Sequence, residues 1–204
     1  PQVHLGSCAE VALLAAACAI LSILFCVVMH TTGQFAGKYV KSPYIRIVLG
    51  GILIIGLTFL SGCRDYNGAG MNIVSDAVAG HAKPEAFLLK MLFTAITIEV
   101  GFKGGEIVPT FFIGSVFGCV IGPLIGLDAG FSAAIGLTAL FCGVVNCPAA
   151  SIFLALELFG AKGILLFAIA CAVSYLLSGY YGLYSGQKIV YSKLKAEYID
   201  IYAK

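Results

Sequence analysis

Charge is what this sequence has least of. Lys, Arg, Asp and Glu make up 11% of its 204 residues, where a soluble domain carries about 25%. Hydrophobic residues make up 60%, and the mean hydropathy is +1.02. So little polar surface cannot cover a globule in water, and the composition points to an integral, multi-pass membrane protein. The net charge of +2 is too small and too dispersed for a nucleic-acid partner. There is no G-K-[ST], H-E-x-x-H or G-x-S-x-G, and no pair of carboxylates at catalytic spacing, so the chain does not read as an enzyme and implies no cofactor. It also lacks C-x-x-C. The eight cysteines (Cys8, Cys18, Cys26, Cys63, Cys119, Cys142, Cys147 and Cys171) lie mostly in apolar runs, away from His4, His30 and His81. They read as small buried hydrophobes and not as zinc ligands or a disulfide framework. The opening PQVHLGSCAEV has neither an initiating Met nor a signal peptide, which leads us to expect a piece of a longer polypeptide.

What is present is a series of apolar runs, several of them short. Residues 11–29 are uncharged and long enough to span a bilayer as a helix. A basic loop follows, with Lys38, Lys41 and Arg46, and faces the cytoplasm by the positive-inside rule. Residues 47–60 form a shorter run, ended by SGCRDYNGAGMN. Residues 86–100 are apolar except for Lys90 and Glu99, which fall on nearly opposite sides of one helix. Further runs cover 107–125, with Pro109 and Pro123, then 131–145, closed by Asn146-Cys147-Pro148, then 149–159, with Glu157, then 163–184. Runs too short to cross cleanly, broken by Gly and Pro, place irregular backbone at membrane depth. Such backbone is tolerated only inside protein or beside a water-filled path. Broken half-helices ending near the midplane are a feature of ion-binding transporters.

The stretch GFKGGEIVP, residues 101–109, is the sharpest signal. Gly101, Gly104 and Gly105 permit a tight or left-handed backbone. Pro109 suits the first turn of a helix, and TFFIGSVFGCVIG continues it. Glu106, Ile107 and Val108 therefore sit at a helix N-terminus, where free N–H groups and a partial positive charge favour an anion. Two readings of Glu106 stand side by side: its carboxylate caps the helix, or it takes up and releases protons. Glu157 and Glu99 are acids in or beside apolar runs, and each reads as a functional group or as the partner of a buried basic or backbone group. Lys90 snorkels or pairs elsewhere. Lys188, Lys193 and Lys195 face cytoplasm or headgroups.

The segment GGEIVPTFFIGSVFG, residues 104–118, resembles the second-half signature of the CLC chloride channel and transporter family. There a G-x-x-x-P turn opens a helix whose amides bind the anion; here it reads Gly105-Glu106-Ile107-Val108-Pro109. LFCGVVNCPAASIFLALELF, residues 140–159, resembles the family's helix pair at the interface of a homodimer. SGQKIVYSKL resembles its short last helix, whose tyrosine points at the anion. SGCRDYNGAGMN resembles its glycine-rich break, and Lys90 matches a basic family position. Glu106 stands where the family's turn is usually apolar. The family's first half, with its serine-bearing turn and G-[KR]-E-G-P turn, has no counterpart in the chain.

The resemblance implies an all-α, polytopic membrane fold with broken and tilted helices, the second inverted repeat of a CLC-type subunit. It divides the chain into a helical repeat over 1–187 and a C-terminal, cytoplasm-facing helix over 188–204. It implies transmembrane anion transport, as a chloride channel or a proton-coupled chloride antiporter in the cell membrane. The anion would be held by Gly105, Glu106, Ile107 and Val108 and by the hydroxyl of Tyr191. The partners implied are chloride or another halide, the bilayer, a second copy of the subunit and the N-terminal half of the same subunit. The alternatives are the fluoride-exporting branch of the family, or a fragment with no ion path of its own.

Overall fold

The computed structural model describes residues 5–204. Eight α-helices come first: α1 (Leu5–Tyr39), α2 (Pro43–Ser61), α3 (Met71–Val78), α4 (Ala86–Glu99), α5 (Ile107–Ile121), α6 (Ala129–Val145), α7 (Pro148–Phe159) and α8 (Ile164–Leu177). Strands β1 (Lys188–Tyr191) and β2 (Tyr198–Tyr202) follow. Three helical stretches are long and apolar enough to cross a membrane: Gly6–Tyr39, Pro43–Ser61 and Ile107–Ile125, the last including the 3-10 turn that extends α5.

The sequence explains most breaks. Pro43 restricts the residue before it, so the chain leaves α1 and α2 begins at Pro43. Asn146, in the left-handed region at φ 57°, closes α6, and Pro148 opens α7. Gly70, at φ 72°, opens α3 against the ring of Phe112. Two boundaries differ from expectation. The segment expected as a basic loop after residue 29 stays helical to Tyr39, since nothing in TTGQFAGKY stops a helix. At 35 residues α1 is about 50 Å long, well beyond a hydrocarbon core of roughly 30 Å. The last apolar run ends early, at Leu177, ahead of Gly179 at φ 58°.

The tail is a correction. A helix was expected over 188–204; β1 and β2 pair antiparallel there, Lys188 opposite Tyr202 and Ile189 opposite Ile201. Ile189, Val190, Tyr191, Tyr198, Ile199, Ile201 and Tyr202 are β-branched or aromatic and favour a pleated surface. The hairpin docks on the preceding loop. Ala203 N–H donates to Gln187 O at 2.9 Å, and Lys204 N–H to Tyr180 O at 2.9 Å. Lys193, expected at the headgroups, is half-buried instead. Its Nζ donates to Asn146 Oδ1, Tyr175 O and Ser178 Oγ, and lies 4.1 Å from the centre of the Tyr175 ring.

The core is built on α5 and α6. Gly114 and Gly118 meet the backbone of α6 at Gly136 and Ser132, and Gly136 meets the backbone of α5. A Cβ on Gly114 would lie 2.9 Å from Leu137 Cα. Small residues spaced by four are how helices approach closely in lipid, where apolar burial alone gives no preference. α1 and α8 close one side around Leu14, Ile135, Leu166 and Phe167, while α3 and α4 close the other around Phe93, Phe112 and Val116. Five of the cysteines are buried and all eight are free thiols. Lys90 is 2% exposed. Its Nζ donates to the carbonyls of Tyr66 (3.2 Å) and Gly68, and so ties the 62–70 break to α4.

Two outcomes are expected in thermal unfolding of detergent-solubilised protein. Gly118→Ala destabilises by about 1–3 kcal/mol through overpacking, whereas Gly56→Ala, which meets nothing within 4 Å, does not. Lys90→Met costs about 1–3 kcal/mol, because the buried Tyr66 carbonyl loses its donor.

Candidate functional site

The site is the start of α5. Glu106 precedes the helix, with backbone angles φ −91° and ψ −21°. Its carbonyl accepts from Thr110 N (3.2 Å) and Thr110 Oγ1 (2.8 Å), which seals the first turn from below. Gly101, at φ 112°, supplies the reversal out of α4; a residue with a Cβ would be strained there. Gly104 and Gly105 keep negative φ, so their contribution is an unobstructed backbone and not a left-handed turn.

This path leaves a run of donors unused. Among the described residues, the backbone N–H groups of Lys103, Gly104, Gly105, Glu106, Ile107 and Val108 meet no acceptor. Pro109 has none to offer. The first amides of a helix have no partner within it, residues 103–105 and 107 lie at exposed positions open to a ligand, and a helix start concentrates partial positive charge. The turn is thus preorganised for an anion.

Glu106 does not cap this helix: no hydrogen bond joins its side chain to the first-turn amides. Of its two readings, capping is the one the geometry removes. The carboxyl lies within electrostatic reach of His30, Glu99 and Tyr184. Burial in this turn holds it above the ordinary carboxylate range, with His30 pulling the other way. Glu99, the last residue of α4, has Glu106, His30 and Arg46 around it. Its carboxyl packs over Gly33 of α1, where a Cβ would collide with it. Arg46 of α2 donates from Nε to Val100 O at 3.3 Å. His30 Nε2 is 2.9 Å from Gly182 O; a carbonyl only accepts, so this nitrogen carries the proton. Two carboxylates, an imidazole and a guanidinium from three helices and a turn gather near one helix start.

The tail tyrosine at this site differs from the one expected. Tyr191 lies on β1, 69% exposed, its ring 5.9 Å from that of Tyr198; no contact joins it to residues 105–108. Partial burial of Tyr184, in the loop after α8, raises its phenol above the usual range, and the nearby charge of Glu106 adds to this. The loop is held by Leu183 N–H on Val144 O (3.0 Å) and by Asn146 Nδ2 on Tyr181 O (2.8 Å). Tyr184, His30 and Arg46 were not singled out from the sequence. Tyr184 had a signal, standing in a glycine-flanked turn just after the last apolar run; His30 and Arg46 had none, because only long-range packing brings them here. Glu157, at the end of α7, is exposed on the surface of the chain. Lys90 and Glu99 lie apart, as their spacing implied: Lys90 bonds the 62–70 break and Glu99 faces α1. Among the described residues no cluster of His, Cys, Asp and Glu could hold a metal.

The chain is similar to known proteins. The family profile described as Voltage gated chloride channel matches residues 1–179. A chloride/fluoride channel protein of Pseudomonas syringae pv. tomato is 36% identical over 180 residues, 85% of this chain and 40% of its own length. An uncharacterized protein of Methanocaldococcus jannaschii is 26% identical over 125 residues, 59% of this chain and 31% of its own length. The crystal structure of a CLC-type fluoride/proton antiporter superposes with a TM-score of 0.87 at 29% identity, over 90% of this chain and 47% of that one. The chain spans less than half the length of each of these relatives. With a family match over most of its length, the chain belongs to the voltage-gated chloride channel (CLC) family of integral, multi-pass membrane proteins.

Proposed function

We propose that this chain forms part of the ion path of a transmembrane anion transporter, and that a halide is held at the start of α5. The observation that carries this is the run of unpaired amides from Lys103 to Val108. They offer partial positive charge without a fixed cation, so an anion binds firmly enough to shed water and weakly enough to leave. The ligands are the amides of Gly105, Glu106, Ile107 and Val108, with the hydroxyl of Tyr184 in the role first assigned to Tyr191. The reading includes no enzymatic reaction.

Proton coupling is part of the proposal. A half-buried carboxyl that caps nothing and sits beside Glu99 and His30 can exchange protons as the nearby anion comes and goes. A second reading, fluoride in place of chloride, is favoured by Glu106 in the turn and by the printed descriptions of two relatives, a chloride/fluoride channel and a fluoride/proton antiporter. The path is completed by the remainder of the subunit, as an N-terminal half, and the assembly is a homodimer in the cell membrane.

The test is efflux of chloride and of fluoride from liposomes holding the complete subunit, with internal pH recorded. One of the two halides leaves as protons move the opposite way; no flux of either would overturn the reading. Glu106→Gln fixes the side chain in a neutral form at every pH. The limb of the pH–rate profile lying above the usual carboxyl range should therefore flatten, and an unaltered profile would remove Glu106 from the proton path. Tyr184→Phe should weaken halide binding about tenfold or more, the loss of one hydrogen bond to a charged group, while Tyr191→Phe leaves it unchanged. Calorimetric titration reads both.

A further inference from the structure

α2 sits at the boundary with lipid. Half or more of the apolar stretch of α1 and of α5 is buried inside the protein, against 6% of that of α2. At 19 residues α2 is about 28 Å long, close to a hydrocarbon core of roughly 30 Å. A helix of that length crossing the core has its two ends at headgroup depth. Gly62, at φ 66°, closes it, and Arg64 follows two residues later. The guanidinium therefore stands at the level of the lipid phosphates.

A groove of ≈ 510 Å³ lies against this end of the helix. Its apolar wall includes Ile55 and Phe59, one turn apart on α2 and 59% and 83% exposed. Ile52, 61% exposed, continues the same helix face, because residues three and four apart are neighbours there. The polar end holds Thr58, Arg64 and Asn67. Thr58 Oγ1 lies 2.7 Å from Ile54 O and 3.1 Å from Asn67 Oδ1. That contact fixes the Asn67 amide at the rim and leaves at least one of its N–H donors unused. Arg64 meets no acceptor among the described residues: the one ion pair there is Lys188 with Asp200, and the neighbouring Asp65 lines a different cavity. A guanidinium binds two phosphate oxygens at once. An apolar track ending in an unpaired guanidinium and a spare amide has the layout of an amphiphile with a phosphate at its head. A free anion would answer the cation and leave the wall bare.

We propose that this groove holds one glycerophospholipid of the surrounding leaflet, its phosphate on Arg64 and Asn67 and one acyl chain along Phe59, Ile55 and Ile52. The bound lipid joins the end of α2 to the 62–70 break, which Lys90 ties to α4. The inference rests on the membrane placement of the chain and not on the anion-transport reading.

The test is native mass spectrometry of the complete subunit, purified in detergent and titrated with palmitoyl-oleoyl phosphatidylglycerol. The matching diacylglycerol is titrated beside it, and inorganic phosphate is added as a competitor. One phospholipid per subunit is expected, with occupancy at least fivefold lower in Arg64→Gln and in Phe59→Ser. Lys162→Gln, the same loss of charge on the loop between α7 and α8, keeps the occupancy of the parent. Arg64 and Phe59 are exposed, so both variants should melt with the parent in detergent alone. Added phosphatidylglycerol should then raise the melting temperature of the parent by several degrees and that of neither variant. Unchanged occupancy in either variant, or an equal loss in Lys162→Gln, would overturn the site. Equal retention of the diacylglycerol would reduce it to an acyl groove, and displacement of the lipid by inorganic phosphate would reduce it to a phosphate site; either result overturns the proposal.

Discussion

Everything at the candidate site depends on how closely α5 can lie against α6. Lipid tails are as apolar as leucine, so two helices in a bilayer gain little from burying apolar surface together; they gain from contact. Gly114, Gly118 and Gly136 remove the side chains that would keep the two backbones apart, and the carbonyls of one helix rest on the α-carbons of the other. That contact holds α5 rigidly along its length. A rigid α5 holds its first turn, whose amides have no partner within the helix, in one orientation. Thr110, whose nitrogen and hydroxyl both reach back to Glu106 O, locks the one point where the helix could fray.

The charges around this turn show a division of labour. On one flank stand Glu99, Glu106, His30 and Arg46, of mixed sign. On the other stand Lys90 and Lys103, with no acid between them. A passing anion and a passing proton need opposite surroundings: the first wants donors and positive potential, the second wants acceptors whose affinities can be traded. The α5 start has both surroundings beside it, so on the proposed reading an anion and a proton meet different chemistry at one turn.

How far the sequence foretold this differs from part to part, for physical reasons. Breaks written in local chemistry were legible: Pro148, the Gly-rich 62–70 segment and the 101–109 turn all act through their own backbones. The all-helical membrane fold followed from the runs between them. The hairpin was missed, although Ile189, Val190 and Tyr191 face Tyr198, Ile199 and Ile201 with ordinary strand composition, because a family resemblance outweighed local propensity. The same resemblance put Tyr191 at the anion; in the hairpin that residue stands exposed, and it is Tyr184, in the loop before it, that comes within electrostatic reach of Glu106. The capping role of Glu106 failed for a different reason. Capping is a matter of one side-chain torsion, which composition does not encode, and the competing neighbours come from α1 and α4.

One helix stands apart from this packing. α2 buries a single residue, Gly50, which rests on Val100, while Ile52, Ile55, Phe59 and Leu60 point outward, each more than half exposed. Arg46 bonds the same Val100, Ile54 and Leu57 pack against the Phe93 and Phe112 cluster, and Thr58 reaches Asn67. Val100 is the residue immediately before the turn that carries the site. A shift of α2 under its apolar surroundings therefore reaches the site through the residue on which the helix rests.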